Sequence, residues 1–245
     1  MYLKEFDLDF PYISDDERIQ LIMNEKKCQY NDATKLDYEL NWKVKRRSLR
    51  LETRCITAMY ERLFGKLKTE DFWKILVECA EDITDERIMN YSGVSTVQVK
   101  FRFEDFSLKS EIDKKRTTLI LLMEGIEKIS LSKNWDIEPF RVVASQIEEL
   151  GYLNEWVWKK AVKSPDKNFS AKVMCHHTVE NMDIFISIMQ RNGTEILLKK
   201  VLSELPDEFA YSKHLGELKW ISDFEVALIN KKGDGMVSVT LNSIN

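Results

Sequence analysis

The chain has 245 residues, of which 44% are hydrophobic and 32% are charged, and its formal net charge is −4. This composition predicts a folded core with a soluble surface, and it excludes a disordered chain, which needs few apolar residues and a large net charge. The acidic balance also argues against a dedicated nucleic-acid-binding protein, because such proteins gain much of their affinity by neutralising phosphates.

Cysteine spacing and the N-terminal sequence both predict a cytoplasmic protein. The four cysteines are widely and irregularly spaced and form no C-x-x-C pair, which is typical of reduced thiols. The N-terminal MYLKEFDLDF lacks the apolar core of a signal peptide. The longest apolar runs, such as LILLM at 119–123, are too short to span a bilayer, so we expect no membrane association.

The first 165 residues are predicted to be mainly helical. FDLDF at 6–10 alternates apolar and acidic residues, as a half-buried strand does. Ser14 and Glu17 have the spacing of a capping box, which predicts a helix start. Residues 37–65 carry a helical apolar stripe and form a predicted long helix that ends at Gly65.

Further helices are predicted on both sides of a second strand. Thr69 is expected to cap a helix over EDFWKILVECAED, whereas VQVKFRFEDF at 97–106 alternates like a strand. Ser110 and Pro139 are typical of residues at the start of a helix and predict two further helices. LNEWVWKKAV, at 153–162, is expected to continue helically.

The segment LNEWVWKKAV contains two tryptophans, Trp156 and Trp158, which lie two positions apart. On a helix their rings would point about 200° from each other, so one would face the core and the other would be partly exposed. An exposed tryptophan is a common interface anchor. We therefore take Trp158 as a candidate partner-binding residue.

Residues 166–245 are predicted to be mostly antiparallel sheet. AKVMCHHTV and MDIFISIM have the character of strands, and Thr194 is expected to cap a helix through Leu205. FEVALIN and MVSVTLN flank KKGDG, a hairpin-turn signal in which Gly235 is expected to hold a positive φ.

These elements predict an α+β fold, with helical N-terminal and central regions packed on a mostly antiparallel sheet that is richest in the C-terminal third. We expect a single compact unit over 1–245. The alternative organisation divides the chain into a mainly helical part, 1–165, and a mainly antiparallel part, 166–245.

The stretch Cys175-His176-His177 is the densest group of nucleophilic and metal-ligating side chains. On a strand, His176 and His177 point to opposite faces, whereas Cys175 and His177 share the face that is expected to be buried. A zinc site would need two more ligands from elsewhere. We therefore predict a structural strand, no bound metal and no cofactor, and keep an enzyme or metal protein centred on Cys175 and His177 as the third hypothesis.

The helix predicted over 37–65 carries a basic face. Its cations cluster away from the apolar stripe and suit contacts with phosphates or with an acidic protein surface. The alternative, in which the face has no binding function, is a solvent-exposed helix face whose charges are paired with neighbouring acidic residues. We expect reversal of Arg47, Arg50 and Arg54 to Glu to leave the fold intact. The candidate partner-binding cations are Lys43, Arg46, Arg47, Arg50 and Arg54.

Acidic residues concentrate at 78–87, where Glu78, Asp82 and Glu86 would align on a continuing helix. Such a cluster suits a magnesium site, but it is more often a polar helix face. The sequence contains no phosphate-binding loop, dinucleotide fingerprint, nucleophile elbow or H-E-x-x-H motif.

The absence of catalytic motifs favours a non-catalytic protein that binds another protein. A specific version is an inhibitor or immunity-type protein that neutralises a toxic enzyme, since complementary charge gives such inhibitors fast and selective association. The alternative is a nucleic-acid- or phosphate-binding protein that uses the basic helix face 43–54.

Overall fold

A computed structural model describes residues 1–241 and has the predicted α+β class. The chain divides into two compact units, Met1–Tyr152 and Leu153–Asn245. The boundary follows the end of a helix, where Gly151 and Tyr152 both have a left-handed backbone, with φ of 61° and 60°.

The first unit contains two sheets. The larger sheet has the strand order β2-β4-β6-β5, in which β2, β4 and β6 run parallel and β5 is antiparallel to β6. The smaller sheet pairs β1 with β3. The strands are β1 (Tyr2–Leu3), β2 (Glu5–Asp9), β3 (Leu67–Lys68), β4 (Lys74–Ala80), β5 (Met89–Tyr91) and β6 (Val94–Lys100).

Helices connect and cover these strands. A π-helical turn, Tyr38–Trp42, joins the second and third helices without interruption. The helices are α1 (Asp16–Lys26), α2 (Tyr30–Asp37), α3 (Lys43–Phe64), α4 (Phe103–Ser107), α5 (Glu111–Lys133) and α6 (Glu138–Glu149).

Helix α3 covers the free edge of β2. The backbone N–H of Phe6 donates to Oε1 of Glu61 at 2.9 Å, and the Phe6 ring lies edge-on to Tyr60, with the centroids 4.9 Å apart. Hydrogen bonding and apolar contact therefore block an edge that would otherwise offer unpaired backbone groups.

Helix α5 packs on one face of the parallel strands at very short range. A Cβ atom placed on Gly125 would lie 2.4 Å from a γ-methyl of Val77 in β4. The same face of β4 buries Ile75 and Cys79. Glycine is therefore needed here for close approach, because any larger side chain would push the helix off the sheet.

The second unit is built from two antiparallel sheets. The five-stranded sheet has the order β11-β10-β9-β7, with β8 also paired to β9, and the three-stranded sheet has the order β12-β13-β14. Their strands are β7 (Asn154–Val157), β8 (Val162–Lys163), β9 (Phe169–His177), β10 (Met182–Gln190), β11 (Glu195–Glu204), β12 (Glu217–Trp220), β13 (Glu225–Ile229) and β14 (Met236–Thr240).

Side chains of both sheets form one apolar cluster. Val173 and Ile186 contribute from the larger sheet, and Val226 and Val239 from the smaller one. Between β11 and β12 the chain forms helix α7, Glu208–Tyr211, followed by the 3₁₀ turn Ser212–His214. The antiparallel C-terminal region agrees with the predicted fold class.

Three segments predicted as helices are strands. These are β4 in the segment after Thr69, β7 in LNEWVWKKAV, and β11 in the segment after Thr194. Each pairs with a strand distant in sequence or across a turn, and the ladder hydrogen bonds override the helical spacing of its apolar residues.

Two local predictions are also corrected. Helix α1 begins one residue later than the Ser14–Glu17 box requires, because Asp15 is the N-cap and accepts a hydrogen bond from the backbone of Arg18 at 3.1 Å. In the hairpin between β13 and β14, the positive φ of 77° belongs to Gly233 and not to Gly235. Gly65 ends α3 as predicted, with φ of 71°.

Candidate functional site

Cys175, His176 and His177 lie on β9, as predicted. Cys175 and His177 are buried on the core side, whereas His176 faces outward, with its Nε2 3.7 Å from a carboxylate oxygen of Glu155. The Nε2 atom of His177 is 3.2 Å from the carbonyl oxygen of Pro206, and its ring lies edge-on to Tyr211. The two histidines therefore do not converge on one ligand.

The surroundings of Cys175 do not favour nucleophilic chemistry. Burial raises the pKa of its thiol to about 12, so the thiol stays protonated at neutral pH. Within residues 1–241, no group of three or more histidine, cysteine or acidic side chains is placed to hold a metal ion.

The acidic stretch at 78–87 is part of a strand and a loop. Glu78 is on β4, where its carboxylate accepts a hydrogen bond from the Gln98 amide at 3.2 Å. Asp85 forms an ion pair with Arg87 at 2.7 Å. The helical alignment expected for Glu78, Asp82 and Glu86 is wrong, since alternation along a strand and the following loop replaces the helical repeat.

The two tryptophans lie on and just after a strand and not on a helix. Two positions apart on an extended chain, Trp156 and Trp158 share a side, and both are partly buried against the core of the second unit. The ammonium of Lys159 lies 4.1 Å from the Trp158 ring centroid. Trp158 thus packs within the second unit, and its partner-binding role stays a prediction.

The basic helix face divides into two groups. Arg46 and Arg54 turn toward the sheet: Arg46 contacts Asp9 through two nitrogens, at 2.7 and 2.5 Å, and Arg54 contacts Glu61 at 2.8 Å and Asp7 at 3.2 Å. Hydrogen bonding to Asp9 raises the pKa of Arg46. Arg46 and Arg54 thus link α3 to β2 through ion pairs, and Arg54 also links the middle of α3 to its last turn.

The other cations point into solvent. Lys43 pairs with Glu39 on the preceding turn at 2.6 Å, and both partners are about half exposed, so the pair is weak. Arg47 and Arg50 are exposed and form no ion pair with any residue in 1–241. Their guanidinium groups are therefore available to an external anion or carboxylate.

Exposed apolar side chains lie beside these cations. Leu40 is 64% exposed and Val44 is 70% exposed. At 100° per residue, Val44, Arg47 and Arg50 project from one side of α3, opposite the buried Leu49 and Ile56. We name this surface the α3 outer face, formed by Leu40, Lys43, Val44, Arg47 and Arg50.

The second unit contains a histidine–carboxylate pair that the sequence does not predict. Nε2 of His214 lies 2.6 Å from a carboxylate oxygen of Glu204, beside a cavity of about 220 Å³ between β11 and the β13–β14 hairpin. The pair was not predicted because residues 194–205 were expected to form a helix. The strand β11, which the structure has there instead, brings Glu204 to the 3₁₀ turn that contains His214.

Comparison with protein-family models, with curated proteins and with solved structures found no match for the chain. Among the residues that the structure describes, no helix is both long enough and apolar enough to cross a membrane.

Proposed function

We propose that this protein is a non-catalytic cytoplasmic binding module that recognises an acidic surface on another protein through the α3 outer face. In its specific form, the partner is an enzyme that the protein inhibits, as an immunity-type protein does. The proposal rests on one observation. Arg47 and Arg50 have no ion-pair partner in 1–241, and they lie on the same face as the exposed Leu40 and Val44.

The composition of this face supports protein recognition. Interfaces are enriched in arginine, and their most important residues combine charge-directed hydrogen bonds with apolar burial. Arg47 and Arg50 supply planar groups that suit bidentate contacts with carboxylates. Val44 and Leu40 supply apolar area next to them.

The rigidity of the helix also supports the proposal. Arg46 and Arg54 hold α3 against β2 on either side of Arg50, and Leu49, Ile56 and Tyr60 are fully buried beneath it. A recognition surface on a fixed helix loses less conformational entropy when a partner binds.

Nucleic acid is the alternative ligand for the same face. Three cations, Lys43, Arg47 and Arg50, would contact phosphates, but no aromatic side chain belongs to the face to stack on bases. The net charge of −4 gives no general attraction to a polyanion. Protein recognition is therefore the better-supported use.

The experiment identifies the partner by affinity capture from the source cell and then titrates the purified partner calorimetrically. Wild type should bind near one to one, and Arg47→Glu/Arg50→Glu should weaken binding by at least about 100-fold, since each reversal replaces attraction with repulsion. The matched control, Lys160→Glu/Lys232→Glu, makes the same charge change on exposed residues of the second unit and should bind like wild type.

Partner activity and nucleic-acid binding complete the test. If the partner is an enzyme, its activity should fall to zero at molar equivalence. Equal affinity of wild type and the Arg47→Glu/Arg50→Glu variant would reject the α3 outer face. Saturable binding of short RNA or DNA duplexes that the same variant abolishes would favour the nucleic-acid alternative instead.

A further inference from the structure

A second cationic feature lies in the first unit, where β6 ends and the chain enters α4. Here a cavity of about 300 Å³ is bordered by Lys100, Arg102 and Lys109 and by the hydroxyl-bearing Thr117 of α5. None of these residues belongs to the α3 outer face. The cavity is thus independent of the proposed protein-binding surface.

The charges around this cavity are unbalanced. Asp105 is the one carboxylate of its lining, and its closest oxygen is 3.7 Å from an Arg102 nitrogen, with both side chains largely exposed. Lys100 and Lys109 form no ion pair with any residue in 1–241. Three cations against one loosely held acid leave the cavity positively charged.

Its position in the sheet and its walls suit a small ligand. The cavity lies at the carboxyl end of a strand that runs parallel to β4, where ligands bind in many α/β sheets. Phe101, Phe106 and Leu121 form its apolar lining. A volume of about 300 Å³ is at the lower end of the range for small-molecule sites, which limits the ligand to a short carbon skeleton.

We propose that this cavity binds a small organic phosphate, whose phosphate contacts Lys100, Arg102 and Lys109 and whose carbon skeleton lies against Phe106 and Leu121. Arginine provides a planar fork for phosphate oxygens, and the two lysines add point charges. The hydroxyl of Thr117 supplies a further hydrogen-bonding group for the phosphate or for a ligand hydroxyl.

The test is calorimetric titration of the whole chain at low ionic strength with ribose 5-phosphate and with inorganic phosphate. We expect saturable one-site binding, with ribose 5-phosphate about tenfold tighter because only its sugar can place C–H groups against Phe106 and hydrogen-bond to the Thr117 hydroxyl. Lys100→Gln/Lys109→Gln should weaken binding of ribose 5-phosphate by at least about tenfold, since two charge-assisted contacts are lost.

The control Lys160→Gln/Lys232→Gln removes the same charge from the second unit and should leave the affinity unchanged. Equal weakening by both double variants would overturn the proposal, as would equal affinities for the two probes or no saturation up to roughly 10 mM, a very weak affinity.

A second variant keeps the test decisive if Lys100→Gln/Lys109→Gln unfolds. Asp105→Asn removes the competing carboxylate and retains all three cations, and Asp105 is exposed, so the fold should tolerate the change. We expect several-fold tighter binding of ribose 5-phosphate. Unchanged or weaker binding by a folded Asp105→Asn protein would overturn the proposal.

Discussion

At the scale of single residues, the arginines of α3 show why a helical wheel is an incomplete guide. Arg47, Arg50 and Arg54 all lie off the apolar stripe, yet Arg54 is 18% exposed and contacts two acids, whereas its two neighbours face solvent. The difference depends on β2, which places Asp7 beside Arg54. These contacts give a reason to expect that, of the three reversals, the one at Arg54 affects stability.

We predict that Arg54→Glu destabilises the protein by about 3 kcal/mol, because it brings a third carboxylate to Asp7 and Glu61 and leaves both without this cation. Burial already raises the pKa of Glu61, so its charge depends on this arginine. Arg47→Glu/Arg50→Glu should change the free energy of unfolding by less than about 0.5 kcal/mol. Urea denaturation compares the two variants, and equal midpoints would contradict the contacts described for Arg54.

Asp37 is a buried carboxylate that organises the first helices. It accepts hydrogen bonds from Arg18 at 2.8 Å, from the Tyr12 hydroxyl at 2.7 Å and from the Asn41 amide at 2.9 Å. These donors, Arg18 foremost, lower the pKa of Asp37 to about 2. Burial and the bond to Asp37 raise the pKa of Tyr12 to about 12.

A lowered pKa in the folded state predicts acid sensitivity. The contribution of Asp37 is complete above its unfolded pKa of about 3.9 and is lost as pH falls toward 2, and it is on the order of 2 kcal/mol. Asp37→Asn should therefore be less stable than wild type at pH 7, and the difference should shrink between pH 4 and pH 2. Urea midpoints at pH 7, 4 and 2.5 measure this.

Asp32→Asn, on the exposed side of the same helix, is the matched control and should show only a few tenths of a kcal/mol at any pH. A gap between wild type and Asp37→Asn that stays constant down to pH 2.5 would mean that the network does not depend on the Asp37 charge.

At the scale of elements, the sequence predicted those whose signals are local. Gly65 and Ser110 mark helix ends that the structure confirms, and the alternation in AKVMCHHTV and MDIFISIM predicts β9 and β10. The strands β4, β7 and β11 were missed because their apolar residues also fit a helical repeat. Backbone pairing decides their conformation: β4 pairs with β2 and β6, β7 pairs with β9, and β11 pairs with β10.

The candidate sites also differ in whether local sequence or tertiary structure determines them. The opposed histidines of β9 and the outward Arg47 and Arg50 were predictable from periodicity. The His214–Glu204 pair and the cavity at the end of β6 were not, since each joins side chains that are brought together only by tertiary structure.

The contact between α5 and β4 gives an element-scale prediction. Gly125→Ala should destabilise the protein by about 1–2 kcal/mol, although alanine is the better helix former, because the new methyl would overlap Val77. In a Val77→Ala background the same substitution should cost much less, since the two overlapping γ-methyls are gone and only the Cβ of residue 77, 3.2 Å away, remains close. Urea denaturation of the four proteins forms a double-mutant cycle.

Additive effects in that cycle would contradict the contact between Gly125 and Val77. Gly151→Ala provides a comparison, because Gly151 has a φ of 61° and, apart from its two neighbours in the chain, no atom of residues 1–241 lies within 4 Å of the place that a Cβ would occupy. The cost of Gly151→Ala therefore comes from backbone strain alone and should not depend on Val77.

At the scale of the whole molecule, each of the two compact units has its own buried side chains. The second unit encloses the cluster that includes Val173, Ile186 and Val226, and the first unit buries Phe6, Tyr60 and Ile126. A unit with its own core is expected to fold independently.

We therefore predict that fragments 1–152 and 153–245, expressed separately, each melt cooperatively. Circular dichroism should show mixed helix and sheet for the first fragment and mainly sheet for the second. A cut within β9, giving 1–173 and 174–245, is the control and should leave the second fragment unfolded. Loss of cooperative melting in both 1–152 and 153–245 would show that neither core suffices alone.

The π-helical turn Tyr38–Trp42 has a consequence for the history of this sequence. It holds about one residue more than an α-helical turn, so removing a single residue within it would leave a regular α-helical turn and keep the rotation of α2 relative to α3. Removing a residue from the regular turns of α3 would instead rotate α2 by about 100° relative to the rest of α3 and disturb the placement of Asp37 near Arg18 and Tyr12. A one-codon deletion should thus be tolerated more readily within 38–42 than within the first regular turns of α3.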